Sequence, residues 1–241
     1  MSIPRYSIIT VCLNANEALR QTLHSIEQQT FKDFEWIVVD GGSTDGTVEL
    51  IQNHSCVNRL ISEPDEGIYD AMNKGLEISS GEYVFFLNAG DWLYSNETLS
   101  DAEQHLKTDI VIGNLAVVDK CGFISLRRYE TYGINKKYIY SKTLPHQSTF
   151  IKKKLFLTYG LYCKSFKIKG DHDFFARIIT KGASFSFLPI CITFFPLNGL
   201  SFQMKKSELL KNELMLVRKR NYSIAYRFKE SLINFYTHFQ R

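Results

Sequence analysis

Short apolar runs alternate with amphipathic stretches along the first part of the chain. Residues 6–13 (Tyr-Ser-Ile-Ile-Thr-Val-Cys-Leu) form the first run and read as a central strand. The turn Asn14-Ala15-Asn16 leads into 17–29, where Ala18, Leu19, Leu23 and Ile26 recur at helical spacing. The pattern then predicts a strand over 34–39, a short helix over 48–52, a strand over 60–62, a helix over 68–77 and a fully buried strand over 83–87. Strands and helices alternating through short connections predict an α/β fold, with a mostly parallel sheet flanked by helices on both faces.

The rhythm changes after residue 91. A helix is predicted over 98–106, and an antiparallel hairpin joins 110–118 to 123–128 across Asp119-Lys120-Cys121-Gly122. Residues 129–143 are polar, aromatic and irregular, and read as a mobile loop suited to a lid. A strand over 149–151, helices over 155–159 and 173–180, and a pair of strands within 185–195, broken by Pro189, complete the body. Two helices, 207–220 and 224–239, end the chain, and 198–201 (Asn-Gly-Leu-Ser) reads as a turn that either closes over phosphates or is a plain turn.

Composition adds less than pattern. The chain has 241 residues, 44% of them hydrophobic, which is enough for one large domain with an extension. Its net charge of +4 is too mild to argue for nucleic acid. The charge is uneven, however. Positions 205–241 hold nine Lys or Arg against three Glu, so this tail carries +6 and the rest −2. The five cysteines are scattered without a CxxC pair, which fits a reducing cytosol and argues against a zinc framework. The opening residues lack a small-residue cleavage site, so they read as a strand and not a signal peptide, and no run is long enough to span a bilayer.

The chemistry gathers at predicted strand ends. The strand 83–87 runs into Asn88-Ala89-Gly90-Asp91. Asn88 and Asp91 offer oxygen ligands for a hard cation, although these residues also make ordinary β-turns. Asp40 ends another strand before Gly41-Gly42-Ser43-Thr44-Asp45-Gly46-Thr47, where it can accept hydrogen bonds from a base or ribose. That loop is neither a dinucleotide fingerprint nor a P-loop. Asp171 and Asp173 precede or open a helix: Asp173 is as readily a cap as a base, whereas Asp171 is freer to take a proton from a sugar hydroxyl. His146 is a candidate for acceptor or phosphate contact beside a purely structural role.

In this order and spacing the motifs resemble the family 2 glycosyltransferases with the GT-A fold, over about residues 5–201. The residues that carry the likeness are Ser7-Ile8-Ile9-Thr10-Val11, Trp36 to Thr47, Glu63 to Gly75 with its Gly-Ile-Tyr-Asp-Ala-Met-Asn-Lys-Gly run, and Phe86-Leu87-Asn88-Ala89-Gly90-Asp91. The run looks most like bacterial colanic-acid, exopolysaccharide or O-antigen transferases. The resemblance implies a nucleotide pocket lined by Thr10, Asn14, Asp40, Ser43, Asn73 and Asn88. It implies Mn²⁺ or Mg²⁺ on Asp91, an acceptor-activating base at Asp171 with Asp173 as substitute, and Asp70 beside His146 as a further acceptor or phosphate contact. Two positions depart from the family pattern: Asn88 replaces the first carboxylate of the DxD-type motif, and Gly170 replaces an acid before the base.

The expected function is therefore inverting transfer from a nucleotide sugar to a glycan or polyprenyl-diphosphate-linked acceptor in bacterial surface polysaccharide synthesis. The nucleotide half would span about 1–95 and the acceptor half about 96–204. Residues 205–241 would form a basic amphipathic extension, either lying on the inner face of the membrane at about 1 kcal/mol per basic residue, packed on the body, or holding an oligomer together. A nucleotidyltransferase would show a basic glycine-rich signature near the N-terminus, and 7–17 has none. The alternative function is a catalytically decayed partner in a polysaccharide-assembly complex, which the asparagine at 88 keeps open.

Overall fold

The structure, a computed structural model, describes residues 3–129, 133–197 and 208–238. The turn expected at 198–201 lies outside these. The first half follows the predicted order: β1 (Tyr6–Cys12), α1 (Asn16–Glu27), β2 (Phe34–Asp40), α2 (Thr47–Gln52), β3 (Arg59–Ser62), α3 (Ile68–Ile78) and β4 (Tyr83–Phe86). There follow β5 (Trp92–Leu93), α4 (Thr98–Glu103), β6 (Ile110–Val118), β7 (Ile124–Arg127), α5 (Lys136–Ser141), a 3-10 turn at His146–Ser148, β8 (Thr149–Lys152), α6 (Lys153–Tyr159), α7 (Gly170–Thr180), β9 (Phe185–Pro196), α8 (Glu208–Asn221) and α9 (Ile224–His238).

All nine strands join one sheet in the order β3-β2-β1-β4-β8-β6-β9-β5, with β7 paired to β6. The first four strands are mutually parallel; β8 enters antiparallel to both β4 and β6, so the whole sheet is mixed. Burial on both faces explains why β1, β2 and β4 read as near-continuous apolar runs. Alternate residues serve two cores. Ile9, Val11, Ile37, Val39, Val84 and Phe86 face the α3 and α7 layer. Tyr6, Ile8, Trp36, Val38 and Phe85 face the α1 and α4 layer.

Two expectations change here. Residues 185–195 form one strand, β9, whose register against β6 shifts between Ile112 and Asn114 and again before Leu115. Irregularities there absorb Pro189, so the chain need not turn. The supposed lid 129–143 contains a packed helix: Asn135 Oδ1 accepts from the Lys137 and Tyr138 amides, and Ile139 and Tyr140 are buried.

The tail is built into the body. Glu213 is buried, and its carboxylate accepts hydrogen bonds from the Lys167, Ile168 and Lys169 amides at 2.7, 3.0 and 2.8 Å. Arg218 donates to the Tyr140 carbonyl and lies over that ring, while Arg220 pairs with Asp173 at 3.1 Å. Two of the three cations at 218–220 thus have partners on the body. Glu213→Ala strands three amides that α7 needs for its approach. It should cost about 2–4 kcal/mol and lower the melting temperature by roughly 5–10 °C in a thermal melt; an unchanged melt would refute the anchoring.

Candidate active site

The carboxyl ends of β1, β2 and β4 are adjacent, because β1 pairs with both neighbours and brings Cys12 opposite Asp40. The backbone continues the join, with the Gly41 amide donating to Cys12 O and the Ala89 amide to Val11 O. Open α/β sheets place ligands at such strand ends.

On the β2 side, Asp40 is fully buried and saturated. Its carboxylate accepts from the Gly42 and Ser43 amides at 3.0 and 2.9 Å, from the Ser62 hydroxyl at 2.8 Å and from the Ser43 hydroxyl. Burial opposes the charge, but the Ser43, Ser62 and Gly42 hydrogen bonds outweigh it and hold the carboxyl below its ordinary range. Asp40 therefore shapes the 41–43 loop. Asn14, at φ 48°, ties that loop to β1: its amide donates to the Ser43 hydroxyl, and its Oδ1 accepts from the Thr44 amide. Asp65, which the sequence did not single out, packs so closely on Gly41 that a Cβ there would lie 2.5 Å from its Oδ2.

Three expected site residues have partners within the chain. Thr10 is wholly buried, donating to Leu87 O at 2.7 Å and accepting from the Trp36 indole at 3.0 Å, so its hydroxyl is engaged within the core. Asn73 spends both ends of its amide on the Tyr162 backbone, at 2.9 and 3.0 Å, and so fixes the 160–169 segment against α3. Asp70 is paired with Lys164 at 2.6 Å and accepts from the Glu66 amide.

The β4 turn is different. Thr22 of α1 pins it, donating to Asp91 O at 2.7 Å and accepting from the Gly90 amide at 3.0 Å. Gly90 takes φ 95°, a left-handed value that suits glycine. The Asp91 carboxylate is 5% exposed and has no hydrogen bond or ion pair among the described residues; burial pushes its pKa well above the usual carboxyl range. Asn88 Oδ1 is buried and likewise without a partner among them. A partnerless carboxylate and a partnerless amide oxygen on one turn are costly unless something binds them. An oxygen-only donor set suits Mg²⁺ or Mn²⁺, so Asp91 and Asn88 fit the expected cation.

Across from this turn lies the start of α7. Asp171 is 8% exposed, and its Oδ1 accepts from the His172 amide at 2.7 Å and lies 3.3 Å from the Tyr69 hydroxyl. The Thr143 hydroxyl and His146 Nδ1 approach Oδ2 at 3.3 and 3.6 Å. Burial would raise the pKa of this carboxyl; the hydrogen bond and charge of His146, with Lys169 and His172, more than reverse that and leave it below the usual range. The other ring nitrogen of His146 lies 3.4 Å from Asn88 Nδ2. One imidazole thus bridges the Asn88–Asp91 turn and Asp171.

Asp173, the expected substitute base, has a different set of partners. It is 1% exposed and held by Asn221 at 2.8 Å, Arg220 at 3.1 Å and Arg177 at 3.5 Å, so it anchors α8 and does not share the cage around Asp171. The glycine at 170 also has a reason: a Cβ there would meet the Tyr69 ring at 2.8 Å. Tyr69 occupies the space that a side chain before the base would need. Tyr69 and Thr143 were not foreseen as site residues; the only sequence signal was the position of Tyr69 in the Gly-Ile-Tyr-Asp-Ala-Met-Asn-Lys-Gly run.

Comparison with known proteins agrees with this architecture. The sequence profile described as Glycosyl transferase family 2 matches residues 7–166. A PGL/p-HBAD biosynthesis glycosyltransferase of Mycobacterium tuberculosis is 31% identical over 228 residues, covering 90% of this chain and 87% of that protein. Among solved structures, S. aureus TarS 1–349 in complex with UDP-GlcNAc superposes with a TM-score of 0.68 at 19% identity, covering 83% of this chain and 60% of that one. The mannosyltransferase PcManGT of Pyrobaculum calidifontis, in complex with GDP-Man and Mn²⁺, superposes with a TM-score of 0.62 at 18% identity, covering 84% and 59%. This chain spans about three fifths of the length of those solved structures. The fold is GT-A. With the profile covering well over half of its length, the chain belongs to glycosyl transferase family 2.

Proposed function

We propose that the protein is an inverting, metal-dependent glycosyltransferase that moves a sugar from a nucleotide-sugar donor to a hydroxyl of a glycan or a polyprenyl-diphosphate-linked acceptor in surface polysaccharide synthesis. The observation that carries this reading is a turn bearing the partnerless Asn88 Oδ1 and Asp91 carboxylate, whose Asn88 Nδ2 lies 3.4 Å from His146 Nε2 while His146 Nδ1 lies 3.6 Å from the caged carboxylate of Asp171. The mycobacterial relative is named for PGL/p-HBAD biosynthesis, and the structural neighbours were solved with UDP-GlcNAc, or with GDP-Man and Mn²⁺. These support a nucleotide-sugar donor here.

In this account Asn14, Ser43 and the loop shaped by Asp40 and Asp65 receive the nucleoside within the half at about 1–95, and the half at about 96–204 receives the acceptor. Asp91 and Asn88 would hold Mn²⁺ or Mg²⁺, and the chemistry such a cation would supply is neutralisation of charge on the departing diphosphate. Asp171, kept ionised by its cage, takes the proton of the acceptor hydroxyl. The hydroxyl oxygen forms its bond to the anomeric carbon as the bond to the diphosphate breaks. Attack opposite the leaving group inverts that carbon, by the same geometric logic as glycoside hydrolysis. His146 holds Asp171 and Asn88 in register. The enzyme works on the cytoplasmic side of the membrane that carries such an acceptor.

A panel of UDP-, GDP- and dTDP-sugars with Mn²⁺ tests the reading by thermal shift and by release of nucleoside diphosphate. At least one donor should raise the melting temperature in a metal-dependent way. No response to any donor would favour the decayed scaffold.

A further inference from the structure

We infer that the outward face of α9, with the basic cleft at its root, docks on an anionic phospholipid surface. The inference rests on the proposed lipid-linked acceptor for its purpose, but its geometry is independent of it. One side of α9 and the residue before it pack on the body: Tyr222 and Glu230 are buried, and Tyr222 and Tyr226 lie against Tyr140 with ring centroids 5.0 and 5.7 Å away. The opposite side carries Ile224, Phe228 and Leu232, spaced by four and therefore in one row. They are 77%, 66% and 43% exposed, so the row faces away from the body. Phe235 and Phe239, the remainder of the expected stripe, lie outside the described side chains.

Charge frames this row. Lys229 is exposed beside Phe228. Where α8 gives way to α9, a cleft of about 630 Å³ is lined by Arg177, Lys181 and Arg220, with the Thr180 and Ser223 hydroxyls. Asp173 is shared between Arg177 and Arg220, Lys181 has no partner among the described residues, and Arg177 Nε is buried and unbonded. The Arg177 guanidinium is spent on the Tyr159 and Leu161 carbonyls and the Thr180 hydroxyl on the Ala176 carbonyl, which leaves the exposed Arg220 and Lys181 to meet a phosphate diester headgroup. Bulky apolar residues beside such cations are the composition of a helix lying in a lipid interface. A second copy of the chain across a two-fold axis would set these cations against themselves, which disfavours a dimer through this face. No helix among the described residues is long and apolar enough to cross a membrane, so contact here would be peripheral.

The test is flotation of the full chain with vesicles of phosphatidylcholine containing about one third phosphatidylglycerol. The chain should float with these and stay behind with pure phosphatidylcholine. Phe228→Glu with Leu232→Glu should abolish flotation, and Lys181→Gln with Lys229→Gln should weaken it by about tenfold or more. Failure of the unaltered chain to float, or equal flotation of the Glu variant, overturns the inference. So does a dimer in light scattering that the Glu variant dissociates, since the face then belongs to a second copy. The nucleotide-dependent thermal shift is read on the same samples. Its loss with flotation intact would sink the glycosyl-transfer reading and leave this one standing.

Discussion

Asp171→Asn is expected to lower glycosyl transfer by about a thousandfold while nucleotide-sugar affinity stays within about twofold. The amide has the shape of the carboxylate and fits the same cage, but it cannot accept the acceptor's proton. Its effect should therefore fall on turnover and not on donor binding. The native carboxyl has its pKa lowered by its surroundings. A depressed folded pKa keeps the base ionised through neutral pH and down to about pH 4, where an ordinary Asp begins to protonate. The stability that this ionisation contributes is present above the unfolded pKa and is lost only as pH falls through the lower folded value. An acid limb of the rate profile near pH 6 would have to come from another group. Asp173→Asn is the internal control: it should loosen α8 and lower the melting temperature while leaving turnover of the folded enzyme near native. Steady-state kinetics of the two variants decides the assignment; equal losses of turnover would contradict it.

Asp91→Asn should weaken Mn²⁺ binding by about a hundredfold or more and reduce transfer to match. The same change should leave the metal-free protein as stable as before, or more stable by about 1 kcal/mol. Burial raises the pKa of this carboxyl, and no described residue compensates it. A raised folded pKa means that ionisation at neutral pH opposes folding, so a neutral isostere relieves that opposition. Structural carboxylates such as Asp40 and Glu213 behave in the opposite way, because each accepts several hydrogen bonds that an isostere would lose. Metal titration combined with thermal melts of the apo forms checks both halves. A destabilised apo variant with native Mn²⁺ affinity would assign Asp91 to the scaffold.

Strand order through β4 and the position of the Asn88–Asp91 turn were legible because buried strands and their terminal turns leave local signatures. Which way a polar side chain points was not. Thr10, Asn73 and Asp70 stand in the motifs, yet their partners are Leu87, Trp36, Tyr162 and Lys164, brought in from distant parts of the sequence. Asp171 and Asp173 look equivalent on paper. Helix α8, packing from more than forty residues away, claims one of them and leaves the other. Helix α5 was read as a loop because its two buried residues, Ile139 and Tyr140, are too few to show a period. Strand β5 is two residues long and gave no pattern at all. Tyr69 escaped notice because an aromatic residue on a helix reads as core, and its contact with Gly170 exists only after α3 and α7 meet.

The most direct test of the account is diffraction from crystals grown with Mn²⁺ and a nucleoside diphosphate, using anomalous scattering to place the metal. The account predicts a manganese peak within bonding distance of an Asp91 oxygen, with the diphosphate on it, the nucleoside toward the loop after Asp40, and Asp171 facing the open side. A peak bound elsewhere, or a diphosphate remote from the Asn88–Asp91 turn, would contradict it.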